Sequence, residues 1–225
     1  MTTCSDRTRQ FPLPLTVRGK ALVFRPISPS CRDAMLAFAG NLSKQDLLFL
    51  DRDIAQTSVV DQWIRDAVEG DLFTVVAWEG ETIVGYATVD RGSASWTRHV
   101  AELRVVVGEA CRGIGVGRWL LEVVFEIALE AGATKLIARM TPDQTGAMRL
   151  FQHLGFEQEA ILRDHALDAK GLTHDLLVLG YHTRRHLENR CRVCGIPVLA
   201  SFSLDGVRLC SHCFESRYDE LGGGG

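Results

Sequence analysis

Three groups of residues in this chain have types and spacings suited to chemistry. The first is a cysteine set: Cys191-x-x-Cys194 and, fifteen residues further on, Cys210-x-x-Cys213. Each pair can aim two sulfurs at one ion, and two pairs complete the tetrahedral S4 shell that suits zinc, with iron as the other candidate. So short a segment cannot build a core without a metal or another staple. The second is Arg112-Gly113-Ile114-Gly115-Val116-Gly117. A β-branched run stops before it and a long amphipathic stretch opens after it. Alternating glycines let several backbone N–H groups converge at a helix N-terminus, where partial positive charge and unpaired donors bind phosphate oxygens. Arg112 adds a fixed cation. The third is Glu102, two residues before Arg104 and so on the same face of a strand. It can serve as a general base toward an amine or simply pair with Arg104.

The elements that must position these groups follow from periodicity. Val100 to Val107 reads as a strand leading into the loop, and about Gly115 to Ala131 as a helix. Its apolar stripe is Val116, Leu120, Val124, Ile127 and Ala131, with Arg118, Glu122, Glu126 and Glu130 expected on the solvated side. Gly132 closes it in the C′ manner. Thr134 to Met140 is the next strand, expected parallel to Val100–Val107 through a right-handed crossover. Upstream, Leu72 to Trp78 and Thr82 to Val89 form a hairpin around Glu79-Gly80-Glu81. Ala21 to Arg25 is a short strand. Ser28 or Ser30 is expected to cap a helix through Met35 to Phe38. Leu42 to Asp66 reads as helix and loop, packed through Trp63 and Ile64. Downstream, Thr145 to Leu154 is a helix stopped by Gly155, and Phe156 to Leu167 and His174 to Leu179 are strands around Ala169-Lys170-Gly171.

The whole chain sets bounds. It has 225 residues, 46% hydrophobic and 24% charged, with a net charge of −3, the composition of a soluble globular protein. That charge gives no reason to expect a polyanion partner. The first residues lack an apolar signal region, and no apolar run approaches the ~20 residues of a membrane span. With no secretory signal, paired Cys-x-x-Cys units read as metal ligands in a cytoplasmic protein. The expected organisation is a flexible arm (1–18), a main domain (19–182), a basic connector (183–190), the cysteine module (191–217) and a glycine-rich disordered tail (218–225).

Two ligand classes compete for the loop. A dinucleotide fold wants G-x-G-x-x-G early in a βαβ unit, whereas position 118 is arginine and an antiparallel meander comes first. Asp143 lies at a tolerable distance for a ribose contact, which keeps that option open. Arg112 to Gly117 also matches the R/Q-x-x-G-x-G/A motif and resembles the GNAT superfamily of acyl-CoA-dependent N-acyltransferases. The resemblance runs through AELRVVV, TGAMRLFQHLGF and EQEAILRDHALDAKGLTHDLLVLGY, over roughly residues 19 to 182.

The resemblance implies an α/β (α+β) fold with a mixed central sheet, flanked by helices and splayed between the strands ending at Val107 and Met140. It implies acetyl-CoA as co-substrate. Its pantetheine would lie along Val105, Val106 and Val107, with its diphosphate on the amides of Gly113, Ile114, Gly115, Val116, Gly117 and Arg118. Gln144 and Phe151 stand where the family often has asparagine and tyrosine. An amine, from a small molecule or a protein lysine, would attack the thioester with Glu102 as base. Phenylalanine cannot supply the acid for the leaving thiolate; Tyr86, His165 or His174 are the other candidates, and His153 reads as a surface residue. The cysteine module resembles a zinc ribbon, with GIPVLASFSLDGVRL as two short strands around Leu204-Asp205-Gly206 and His212 as a bystander. Its acids outnumber its arginines, which favours a structural or protein-contacting role over nucleic acid. A different reading is a catalytically degenerate acyl-CoA sensor that docks a protein partner through the ribbon.

Overall fold

The computed structural model describes residues 11–43, 46, 47, 50, 52–70, 72–92, 94–168, 170–183, 192, 202–204 and 207–209. The chain begins with two strands, β1 (Leu13–Val17) and β2 (Lys20–Pro26), then a 3-10 turn and helices α1 (Arg32–Gly40) and α2 (Thr57–Glu69). The hairpin β3 (Leu72–Glu79) and β4 (Thr82–Asp90) leads to β5 (Val100–Val107), α3 (Val116–Glu130) and β6 (Lys135–Met140). Helix α4 (Thr145–His153) and the hairpin β7 (Glu157–Leu167) and β8 (Thr173–His182) complete the main unit. A separate antiparallel pair, β9 (Phe202–Leu204) and β10 (Val207–Leu209), follows.

The main strands make one eight-stranded sheet in the order β1-β2-β3-β4-β5-β6-β8-β7. Only β5 and β6 run parallel, as a strand–helix–strand crossover requires. Helix α3 covers one face over β3, β4 and β5; α1 and α2 pack on the other face over β4 and β3. Burial of both faces explains why β4 reads as an unbroken apolar run instead of an alternating one. One core joins Phe24, Val75, Leu103, Leu120, Phe125, Leu136 and Tyr181. The other joins Met35, Phe38, Val60, Trp63, Val76 and Tyr86. In the second, the Trp63 indole N–H donates to Thr74 Oγ1 at 2.9 Å, so its one polar atom is satisfied under full burial.

The structure differs from the sequence expectations in four places. Residues 13–17 are not arm but an edge strand, paired from Leu13↔Phe24 to Val17↔Lys20; Val17 is buried in the first core. Neither serine caps α1: Cys31 occupies that position, while the Ser28 and Ser30 hydroxyls bond each other at 2.9 Å. Glu122 is not solvated but 8% exposed, reached by the Arg118 Nε–H at 3.0 Å. The last strand runs on to His182, past its expected end at Leu179, and its Tyr181 belongs to the core: the ring meets Phe125 edge-on at 5.1 Å. The remaining expected elements lie within a few residues of their sequence bounds.

Candidate active site

The strands β5 and β6 are paired only at Val100↔Lys135, Ala101↔Leu136 and Glu102↔Ile137. Above that point they part, although β5 continues to Val107 and β6 to Met140. Each stays paired on its outer side, β5 as far as Val107↔Gly85 and β6 as far as Met140↔Leu177. Two strand edges therefore face one another across a V, with main-chain donors and acceptors that an amide-bearing ligand can satisfy. Val105 and Val107 pack toward α3, and Val106 toward α1 and α2.

The glycine loop closes the top of this V, and its glycines are there for two reasons. Gly113 (φ +74°) and Gly115 (φ +105°) adopt left-handed backbone that a side chain would strain. Gly117 is an ordinary helical residue, but a Cβ there would stand 3.3 Å from Val107 Cγ2 and 3.4 Å from Leu150 Cδ2. The α3 hydrogen-bond ladder starts with Trp119 N–H donating to Gly115 O at 3.2 Å. The N–H groups of Val116 and Gly117, in the first turn, have no acceptor within the helix. A cradle that a Cβ would fill, at a helix N-terminus, fits a diphosphate. Arg112 lies at its mouth. Its Nε–H donates to Val107 O at 3.0 Å and its guanidinium meets Asp46 at 2.6 Å. Burial pushes the Asp46 carboxyl up, but hydrogen bonds from Arg112 and Ser43 outweigh it and hold it below its ordinary value.

Glu102 sits at the base of the V, its side chain 11% exposed. The Arg104 guanidinium donates to Oε1 at 2.7 Å, and Arg139 Nε–H donates to the same oxygen at 3.0 Å. A second Arg139 N–H reaches Oε2. The pairing with Arg104 anticipated from the strand pattern is thus present. The contribution of Arg139 was missed, and only the register reveals it: Ile137 sits opposite Glu102, so Arg139 follows on the same face.

Other expected residues are distributed differently. Gln144 precedes α4, and its Oε1 accepts from Thr141 N–H at 3.0 Å. Phe151 is 3% exposed and packs edge-on against Phe156 at 5.0 Å, a core ring with no proton to give. Tyr86 lies in the second core against Trp63, at 4.9 Å. His174 pairs with Asp168 at 3.1 Å near the β7–β8 turn. His153 is exposed, as expected. Cys191, Cys194, Cys210 and Cys213 lie outside the described residues. Among the described residues no cluster of His, Cys, Asp or Glu could hold a metal. The two short strands expected between the cysteine pairs are present, in the register Val207↔Leu204 to Leu209↔Phe202.

An eight-stranded mixed sheet, split beside a glycine-lined helix N-terminus, is the α/β architecture that the resemblance implies. Residues 42–156 match the model of the acetyltransferase (GNAT) family, and the chain belongs to that family. YwnH of Bacillus subtilis (strain 168), a phosphinothricin acetyltransferase by name, is 34% identical over 80 residues, which cover 36% of this chain and 48% of YwnH. The chain thus spans about half the length of that curated relative. A ribosomal-protein-alanine N-acetyltransferase structure from Brucella melitensis superposes with a TM-score of 0.63 at 26% identity, covering 71% of this chain and 98% of that one. yncA from Salmonella typhimurium, solved with its cofactor acetyl-CoA, superposes with a TM-score of 0.62 at 21% identity over 72% of this chain and 94% of that one. Among the described residues, no helix is long and apolar enough to cross a membrane.

Proposed function

We propose that this chain is a cytoplasmic N-acetyltransferase that moves the acetyl group of acetyl-CoA to an amine on a small molecule or a protein lysine. The observation that carries this reading is the V between β5 and β6, capped by the Arg112–Gly117 cradle. The amides from Gly113 to Arg118 and the Arg112 side chain would hold the diphosphate, and the free edge along Val105, Val106 and Val107 the pantetheine. Acetyl-CoA supplies the activated thioester. Glu102 takes a proton from the incoming ammonium, directly or through water, so that the neutral amine can form the new C–N bond. Main-chain N–H groups of β5 above Glu102 stabilise the negative charge that develops on the carbonyl oxygen. The C–S bond then breaks, the nitrogen gives its surplus proton to water, and the sulfur departs as a thiolate with its electron pair, without a proton from Phe151.

A second reading has its own support. Both Glu102 oxygens are held by guanidinium groups, and position 151 carries no hydroxyl. In that reading the fold binds acyl-CoA as a sensor and docks a partner through the C-terminal module. Titration calorimetry with acetyl-CoA, compared with Arg112→Ala and Gly115→Trp, tests what the two readings share. Binding by the unaltered chain, weakened in both variants, is expected; no binding removes both. Acetyl transfer to a panel of amines, amino acids, polyamines and lysine peptides separates them, since the sensor turns over none.

The C-terminal module is, in this proposal, a zinc ribbon with Cys191, Cys194, Cys210 and Cys213 as ligands. The two Cys-x-x-Cys pairs and the β9–β10 hairpin between them support it. About one zinc per chain by elemental analysis is expected, lost together with ordered structure in this segment on chelation.

A further inference from the structure

A second concavity, unused by the chemistry above, opens at the far end of β5 from the glycine loop. It is a cleft of about 530 Å³ lined by Trp96, Arg98, His99, Thr134, Lys135 and His182. Trp96 stands on a short 3-10 turn and leaves 80% of its surface exposed. Arg98 and Lys135 bring a guanidinium and an amine, His99 and His182 add two imidazoles, and no carboxylate is among these lining residues. Glu159 reaches Lys135 and His182 at 2.6 Å each from the β7 side. It can do so because position 180, which it overlies, is glycine. The Arg98 guanidinium donates to Ser95 O at 3.1 Å, which orients it. It has no ion pair among the described residues, so the β5 side of the cleft keeps its positive charge.

The register ties this cleft to Glu102. Val100, Lys135 and His182 form one row across β5, β6 and β8, and Glu102, Ile137 and Gly180 form the next row on the same face. Rows two residues apart are separated by about 7 Å along the strands. A ligand with its amine at Glu102 therefore reaches the cleft with a few further bonds. Such a site takes a negative group between Arg98 and Lys135, beside a flat indole.

We propose that this cleft seats an anionic group of the acceptor, so that the substrate is an amine that also carries a phosphate or carboxylate. This rests on the transferase reading, and the test keeps the two apart. With coenzyme A saturating the loop for binding, and acetyl-CoA replacing it for turnover, tryptophan emission and acetyl transfer are followed for two matched pairs: O-phosphoethanolamine against ethanolamine, and γ-aminobutyrate against butylamine. At least one anionic member should bind and react about tenfold better than its partner. The pair that shows the preference identifies phosphate or carboxylate. Arg98→Gln and Lys135→Gln should each weaken that member about tenfold, chiefly through KM, and shrink the preference. Trp96→Phe should remove the emission change. Arg98 is exposed, so its variant tests the site without disturbing the core. Equal treatment of both members in both pairs, or a preference that survives Arg98→Gln and Lys135→Gln, overturns the cleft assignment and leaves acetyl transfer standing. Selective binding of an anionic amine with no transfer to any amine does the reverse: the cleft stands and the transferase reading falls.

Discussion

The glycine loop and the open face of β5, β6 and β8 would bind their proposed ligands by different means. The loop works through backbone: two residues at positive φ, one close approach, and the first turn of α3. Its donors are fixed by helix geometry, and no side-chain rotamer has to be chosen to aim them. The open face works through side chains drawn from separate strands: Glu102 and Arg104 from β5, Lys135 and Arg139 from β6, His182 from β8 and Glu159 from β7. A backbone cradle fits one shared ligand, whereas a side-chain face can change its substrate by single exchanges without disturbing the fold.

The sharpest way to break this comparison is Glu102→Gln. Loss of the base should lower kcat about 10²- to 10³-fold while acetyl-CoA affinity holds, read by steady-state kinetics beside calorimetry. An equal loss of cofactor affinity would show that the two regions are not separable. Next come opposite responses to pH. On the α3 side, burial pushes the Tyr181 hydroxyl up to about 12 from an unperturbed 10.0. The folded state holds that proton more tightly, so its contribution is whole below pH 10 and fades as pH rises toward 12, by about 3 kcal/mol at most. Denaturant melts across that range should show the loss, and Tyr181→Phe should abolish it. On the open face, burial raises the Glu159 carboxyl but hydrogen bonds from Lys135 and His182 more than offset this, and its pKa falls below 4.5. Its contribution is present above that value and disappears as pH falls through the lowered one; Glu159→Gln should flatten the acid limb of the same melts.

Smaller effects sharpen the account of the loop. Gly117→Leu should weaken acetyl-CoA by about tenfold or more and cost about 1–3 kcal/mol of stability, because Val107 and Leu150 must move. The smallest effect should be the most telling. Asp46→Asn removes the carboxylate that holds Arg112 at 2.6 Å, so acetyl-CoA should bind a few-fold more tightly, while Arg112→Ala weakens it. If both variants weaken binding, Asp46 supports the loop and does not compete for its arginine.

The two regions were unequally legible in sequence for the same reason that they bind differently. Backbone chemistry leaves a local mark, because the φ values at 113 and 115 strongly favour glycine, and the strand and helix flank it directly. The face around Glu102 is made by register. Arg139 lies 37 residues from its partner and Glu159 lies 23 from His182. No spacing rule links such pairs until strand order is known, and β8 entering between β6 and β7 is not a feature of the hydrophobic pattern. The misread positions were again tertiary. Glu122 keeps the helical period of the solvated face, yet its flank is covered; Leu13 to Val17 carries a proline and reads as arm, yet it docks as an edge strand, where proline is tolerated.

Gly180 has a consequence for how such a surface can change. A Cβ there would fall 2.3 Å from the Glu159 carboxyl. One added methyl would evict that counter-ion and leave an ammonium and an imidazole facing whatever enters. An exchange between two uncharged residues would thus rewrite the electrostatics of the neighbouring recess, so the ionic character of this surface is tuned from a position that bears no charge.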